Sequence, residues 1–151
     1  MEFDVTTTAQ SLAGVAIRPD QDGVNLMPYL EGRRSGDAHD RLYWRANEQG
    51  AMRMGKWKMV KIYDDYYLFD LHDDIGERRN LAEVYPAKLK ELQDDWRTWS
   101  ASMMAPQWGS AVRTGPQGAV RGEALKALVR RYIDGLPVSP ETLLYGGGPQ
   151  D

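Results

Sequence analysis

Between Arg41 and Leu71 the chain passes through four short stretches rich in aromatic and β-branched residues, with only a few turn residues between them. The stretches are Arg41–Arg45, Ala51–Met54, Trp57–Tyr63 and Tyr66–Leu71. Their main connections are Asn47-Glu48-Gln49-Gly50, Gly55-Lys56 and Asp64-Asp65. Connections this short can join only neighbouring antiparallel strands, because a parallel crossover takes a dozen residues or more. A four-stranded antiparallel meander is therefore expected.

The alternation within these stretches says more. In the third, Trp57 and Met59 project to one side and Lys58, Val60 and Ile62 to the other. In the fourth, Tyr67, Phe69 and Leu71 share one face, opposite Tyr66 and Leu68. A sheet with one wet face alternates more cleanly than this, so both sides need a cover. One cover is evident. Pro86 suits a first helical position, and Leu89, Leu92, Trp96, Trp99 and Met103 then form a continuous apolar stripe. The second cover is not evident. The fold class expected is α+β, a small antiparallel sheet with a long helix packed on one face.

The flanking segments read as follows. Asp4–Ala13 suits a short helix capped by Asp4 and stopped at Gly14. Arg18–Gly23 is turn chemistry, and Val24–Leu30 is a short apolar piece. Pro106–Gly122 is rich in Gly, Pro, Ser and Gln and reads as a linker. Gly122–Asp134 regains helical periodicity through Leu125, Leu128, Val129, Tyr132 and Ile133, with Gly135 as its stop. The end, Gly146–Asp151, reads as frayed.

Composition removes function classes without selecting one. The 151 residues amount to about one domain. A net charge of −3 gives no electrostatic footprint for nucleic acid or an anionic membrane. No apolar run is long enough for a transmembrane helix, and Met1-Glu2-Phe3-Asp4 does not open a signal peptide. There is no cysteine, hence no disulfide, thiolate zinc site or cysteine nucleophile. With only His39 and His72, a three-histidine metal site within one chain is excluded.

Candidate chemistry is sparse. Asp64, Asp65, Asp70, Asp73, Asp74 and Glu77 suggest calcium, but they are split between a hairpin turn and a strand exit and lack EF-hand spacing. Aspartates at turns commonly bond their own backbone, and that reading is preferred. No nucleophile elbow lies near His72, and His39 sits in a polar loop, so both read as surface or turn residues. Arg33-Arg34, Arg78-Arg79 and Arg130-Arg131 read as solvated pairs. Trp57, Trp96 and Trp99 lie on core faces. Trp44 leads into a polar loop, and packing is preferred there over a pocket. The residues alone show no catalytic or metal site.

The order of motifs does carry a resemblance. Asp22-Gly-Val-Asn-Leu-Met-Pro-Tyr-Leu-Glu-Gly32 resembles a segment late in type I sulfatases of the alkaline-phosphatase-like superfamily. Leu42-Tyr-Trp-Arg45, Gln49-Gly-Ala-Met-Arg53 and Gly55-Lys-Trp-Lys-Met-Val-Lys61 are similar to that family's next strands. Tyr67-Leu-Phe-Asp-Leu71 with Asp74-Ile-Gly-Glu-Arg-Arg-Asn-Leu-Ala82 is similar to its following signature, although Ile75 stands where proline is usual and Asn25 where aspartate often stands. The match covers about Val5 to Pro106. Gly109–Asp151 matches nothing nameable.

The resemblance implies a division into 1–38, a remnant of the end of the α/β catalytic domain; 39–105, the sulfatase C-terminal subdomain; and 106–151, a linker, short helix and flexible tail. Sulfatases hydrolyse sulfate esters through a formylglycine made from a Cys/Ser-x-Pro-x-Arg motif and bind calcium. Both elements lie upstream of the matched segment, and no serine here begins Ser-x-Pro-x-Arg. This chain is expected to hold no catalytic residue, metal ligand or cofactor, and to be inactive alone. Its expected role is to cover the catalytic domain and shape substrate entry, with the missing catalytic domain as partner. Trp44, Arg45, Asn47, Glu48 and Gln49 are the substrate-facing candidates, Arg45 as a bidentate grip on an anion. The resemblance implies a periplasmic or extracellular intact parent. The alternative is a stand-alone non-catalytic module that binds or self-associates through an exposed sheet face. An apolar patch larger than monomers usually show is expected unless the helix at Gly122–Asp134, or a second copy, covers it.

Overall fold

The structure, a computed structural model, describes residues 1–105 and 116–138, with residues 116–121 described by backbone alone. Most of the expected linker and all of the glycine-rich end lie outside the described residues. The chain divides into two compact units, Met1–Asp40 and Arg41–Asp151.

The first unit contains α1 (Glu2–Leu12) and the single turn α2 (Met27–Leu30). Helix α1 starts earlier than Asp4, whose backbone N–H already bonds the Met1 carbonyl at 3.1 Å. Asp4 is thus inside the first turn at the third helical position, and its buried carboxylate reaches back to the N-cap instead of standing as the N-cap itself. It accepts the Met1 nitrogen at 2.7 Å and the Val24 N–H at 2.9 Å. Thr8 Oγ1 accepts the Leu26 N–H at 2.9 Å, and Asn25 Nδ2 donates to Ser11 Oγ at 2.8 Å. Polar side chains therefore zip residues 24–26 onto α1. Gly23 makes this possible, since a Cβ there would lie 2.2 Å from Thr7 Oγ1 and 2.4 Å from the Phe3 carbonyl.

The second unit is built on one sheet in the order β1 (Arg41–Ala46), β2 (Gln49–Met54), β3 (Trp57–Ile62), β4 (Asp65–Asp70), antiparallel throughout. Three two-residue turns join the strands. The first of the two, Asn47, Gly55 or Tyr63, takes a positive φ each time, as tight hairpins require. The first connection is shorter than the sequence suggests because Gln49 and Gly50 pair with Ala46 and Arg45.

The register gives the sheet two apolar faces, as expected. On one, Met52, Met59 and Leu68 are fully buried under α3 (Pro86–Ser102), against Leu92, Trp96 and Leu81. Burying each such side chain contributes about 1.5–3 kcal/mol. Gly50 lets the helix close on the sheet: a Cβ there would meet the Trp96 ring at 2.4 Å. Trp96 Nε1 donates to the Trp44 carbonyl at 3.1 Å, and Tyr43 stacks on Trp99 with ring centroids 4.9 Å apart.

The second face has its cover in the chain. Helix α4 (Pro116–Ile133) begins six residues before the expected Gly122, inside the stretch read as linker. Leu125, Val129 and Ile133 pack against the cluster of Ile62, Tyr67 and Phe69. Gly122 seats on the Tyr63 ring. This cover lies over the β3–β4 half of the face.

Candidate functional site

The substrate-facing candidates lie along β1 and the turn into β2, and the pleat separates them. Trp44 shares the α4-side face with Ala51, Val60 and Tyr67, and Gln49 lies on the same side opposite Ala46. Trp44 is 37% exposed, in the β1–β2 half of that face. Asn47 and Glu48 form the turn, where the Glu48 carbonyl accepts Lys61 Nζ at 2.9 Å and the Tyr63 N–H at 3.2 Å.

Arg45 points the other way. Its guanidinium donates to the Ser100 carbonyl at 2.9 Å, to Ser100 Oγ at 3.0 Å and to the Met104 carbonyl. A helix end leaves carbonyls without partners inside the helix and carries partial negative charge. Arg45 answers both at the end of α3, and its donors are thereby engaged within the chain.

The acidic residues behave as turn residues. Asp74 accepts the N–H groups of Arg78 and Arg79 at 2.8 and 2.7 Å, and these two bonds hold its carboxyl below the usual carboxylate range. Asp70 pairs with Lys56 at 2.6 Å, which lowers its carboxyl too. Among the described residues no group of three or more histidines and carboxylates could hold a metal ion. Among the described residues no helix is long and apolar enough to cross a membrane.

His72 is exposed beside Asp73, as read from sequence. His39 is not a free loop residue: Nε2 lies 2.7 Å from Asp4 Oδ1, and its ring sits edge-on to Phe3. Burial pushes the Asp4 carboxyl up, but its hydrogen bonds from the Met1 nitrogen, Val24 and His39 outweigh it, so the acid sits below its ordinary value. The sequence holds no signal for this pair, whose members are 35 positions apart. Two arginines read as solvated also prove to be ties. Arg130 pairs with Asp65 at 2.8 Å, and Arg78 lies over the Tyr132 ring and donates to the Tyr132 carbonyl at 2.7 Å. Beneath α4, the Tyr67 hydroxyl is buried and makes no hydrogen bond of normal geometry among the described residues, although Arg130 acts on it, and burial raises its pKa above the usual phenol value.

No protein-family model matches the chain. A 63-residue stretch is 36% identical to an uncharacterized sulfatase of Schizosaccharomyces pombe, covering 38% of this chain and 11% of that relative. A putative sulfatase from Bacteroides thetaiotaomicron is similar in structure at 26% identity and a TM-score of 0.50, over 65% of this chain and 24% of the other. These likenesses support a relation to the C-terminal portion of a sulfatase. The crystal structure of Ps i-CgsB in complex with k-i-k-neocarrahexaose matches 87% of this chain and 30% of its own, with a TM-score of 0.58 and 23% identity, a likeness of fold. The sulfatase portion seen here spans about a tenth of the curated relative and a quarter to a third of these solved chains. Its α+β fold is the one the motif order implied.

Proposed function

We propose that the chain serves as the non-catalytic C-terminal part of a sulfuric ester hydrolase, covering the catalytic domain and shaping substrate entry. The observation that carries this reading is the inverted burial of the first unit. Its fully buried side chains are Asp4 and Thr7, while Phe3, Val5, Leu12, Val15, Ile17 and Leu30 are exposed. Amphipathic helices bury their apolar side, so such a unit needs a further apolar surface to cover it. A catalytic α/β domain supplies one.

The catalytic chemistry, calcium and formylglycine belong on this reading to that other part. The solved neighbours support a carbohydrate sulfate ester as the parent's substrate, since one is a complex with a neocarrahexaose. Trp44 and Gln49, open on one face, are the residues best placed to border it. Arg45 supports α3 instead, so Arg45→Ala in the intact parent is expected to lower stability and leave KM for the sulfate ester unchanged. The direct assay is sulfate release from an aryl sulfate and a sulfated oligosaccharide by the chain alone. None is expected, and turnover at enzyme-like rates overturns the proposal.

One observation favours a second reading. Because α4 closes half of the second sheet face, the Arg41–Asp151 unit has less need of an outside cover, as a stand-alone binding module would. Light scattering decides it. A concentration-dependent dimer that Trp44→Ala abolishes would favour self-association through the open half of the sheet.

A further inference from the structure

We infer that α4 is a separable strap, held largely by charge and rim contacts, which opens as a unit while the sheet and α3 stay folded. The two covers of the sheet differ in kind. Helix α3 buries Leu92 completely and Trp96 almost so, inside one cluster with Met52, Met59 and Leu68. Helix α4 contributes Leu128 to the buried set, while the residues it packs against the sheet cluster, Leu125, Val129 and Ile133, are only partly covered.

What fixes α4 in register is polar. At its middle, Lys126 and Arg130 reach Asp65 at 3.8 and 2.8 Å, with Glu123 beside Lys126 at 3.3 Å. At its end, Tyr132 donates from its hydroxyl to the Gly76 carbonyl at 2.8 Å, and Arg78 reaches back to the Tyr132 carbonyl. Arg130, Glu123 and Arg78 are exposed while Lys126 and Asp65 are mostly covered, and ion pairs with an exposed partner are weak and screened by salt.

The seam also carries a fault. Tyr67 Oη is buried under α4 without a hydrogen bond of normal geometry among the described residues, although Arg130 of α4 itself acts on it, and lifting the helix would return it to water. That gain offsets part of the apolar surface exposed at Ile62, Tyr67 and Phe69, which lowers the cost of opening. Regions with few buried contacts and exposed polar ties are those that open locally ahead of global unfolding.

Hydrogen exchange of the full chain, followed by mass spectrometry on peptides from α3 and α4, tests this. Raising NaCl from about 0.05 to 1 M, which shortens the screening length several-fold, is expected to speed α4 exchange roughly fivefold. Exchange in α3 should change little. Asp65→Asn, which removes both ion pairs at the middle, should act like salt, and salt should then add little more. Equal protection of α3 and α4, or α4 exchange indifferent to salt in the unaltered chain, overturns the inference. The salt series needs no variant, so poor folding of Asp65→Asn leaves the test intact.

Discussion

Gly50 shows how a single missing side chain sets the core. Its Cα faces the Trp96 ring so closely that a methyl group would overlap it. Gly50→Ala is expected to destabilise the chain by about 1–3 kcal/mol, read as a lower urea midpoint with an unchanged slope. Tyr67 works in the opposite sense. Among the described residues its buried hydroxyl makes no hydrogen bond of normal geometry, so Tyr67→Phe is expected to be neutral or to stabilise by up to about 1 kcal/mol. Burial raises the Tyr67 phenol above its ordinary value, so the folded state holds that proton more tightly than the unfolded one. This contribution is fully present below about pH 10 and is lost as pH rises through the higher folded value. Tyr67→Phe should therefore flatten part of the alkaline loss of stability, with Tyr43, also raised by burial, retaining the rest. At the acid end the sign reverses. Asp4, Asp70 and Asp74 all sit below their ordinary values, so their stabilisation is present above about pH 4 and fades as pH falls through the lower folded values. An acid titration followed by tryptophan fluorescence reads that loss.

The strands were legible because their signals are local. Turn residues recur at hairpin spacing, and both faces of the third and fourth strands carry apolar groups. Helix α3 was legible for the same reason, its stripe returning every three or four residues. Helix α4 was half legible. Its apolar residues from Leu125 onward marked it, whereas Gly118 and Gly122 hid the first turns, since glycine lowers helix propensity without forbidding the helix once packing holds it. Its seat on Tyr63 and its ties to Asp65 and Gly76 are tertiary facts, absent from any window of the sequence. The same limit explains Arg45, read as a grip for an anion because it stands where the strand leads from Trp44 into a polar loop. The pleat turns it to the opposite face, where the end of α3 takes its hydrogen bonds. Arg45→Ala is expected to cost about 1–2 kcal/mol and to fray the last turn of α3, seen as faster exchange there. Leu92→Ala, which empties a fully buried position on the same helix, should cost more, about 2–5 kcal/mol.

At the scale of the molecule, the two units pose different problems. The Arg41–Asp151 unit has two buried clusters, one on each face of its sheet. The Met1–Asp40 unit is knit by polar bonds around Asp4 and carries its large apolar side chains outside. An account in which the chain is part of a larger sulfatase explains that asymmetry, because the outer side chains then become an interface. A hydrophobic dye should bind the isolated chain, and Val5→Ser with Leu12→Ser should weaken its binding without lowering the unfolding midpoint of the sheet unit. Motif order showed the relationship to sulfatases because five matches fall in the family's sequence order. The substrate was not legible, since the chemistry that selects it is carried on this account by other residues of the parent. The most direct test is to read the genomic DNA upstream of the Met1 codon in the same frame. A continuous frame encoding Cys/Ser-x-Pro-x-Arg and acidic metal ligands is expected, whereas in-frame stop codons behind a functional promoter would contradict the account.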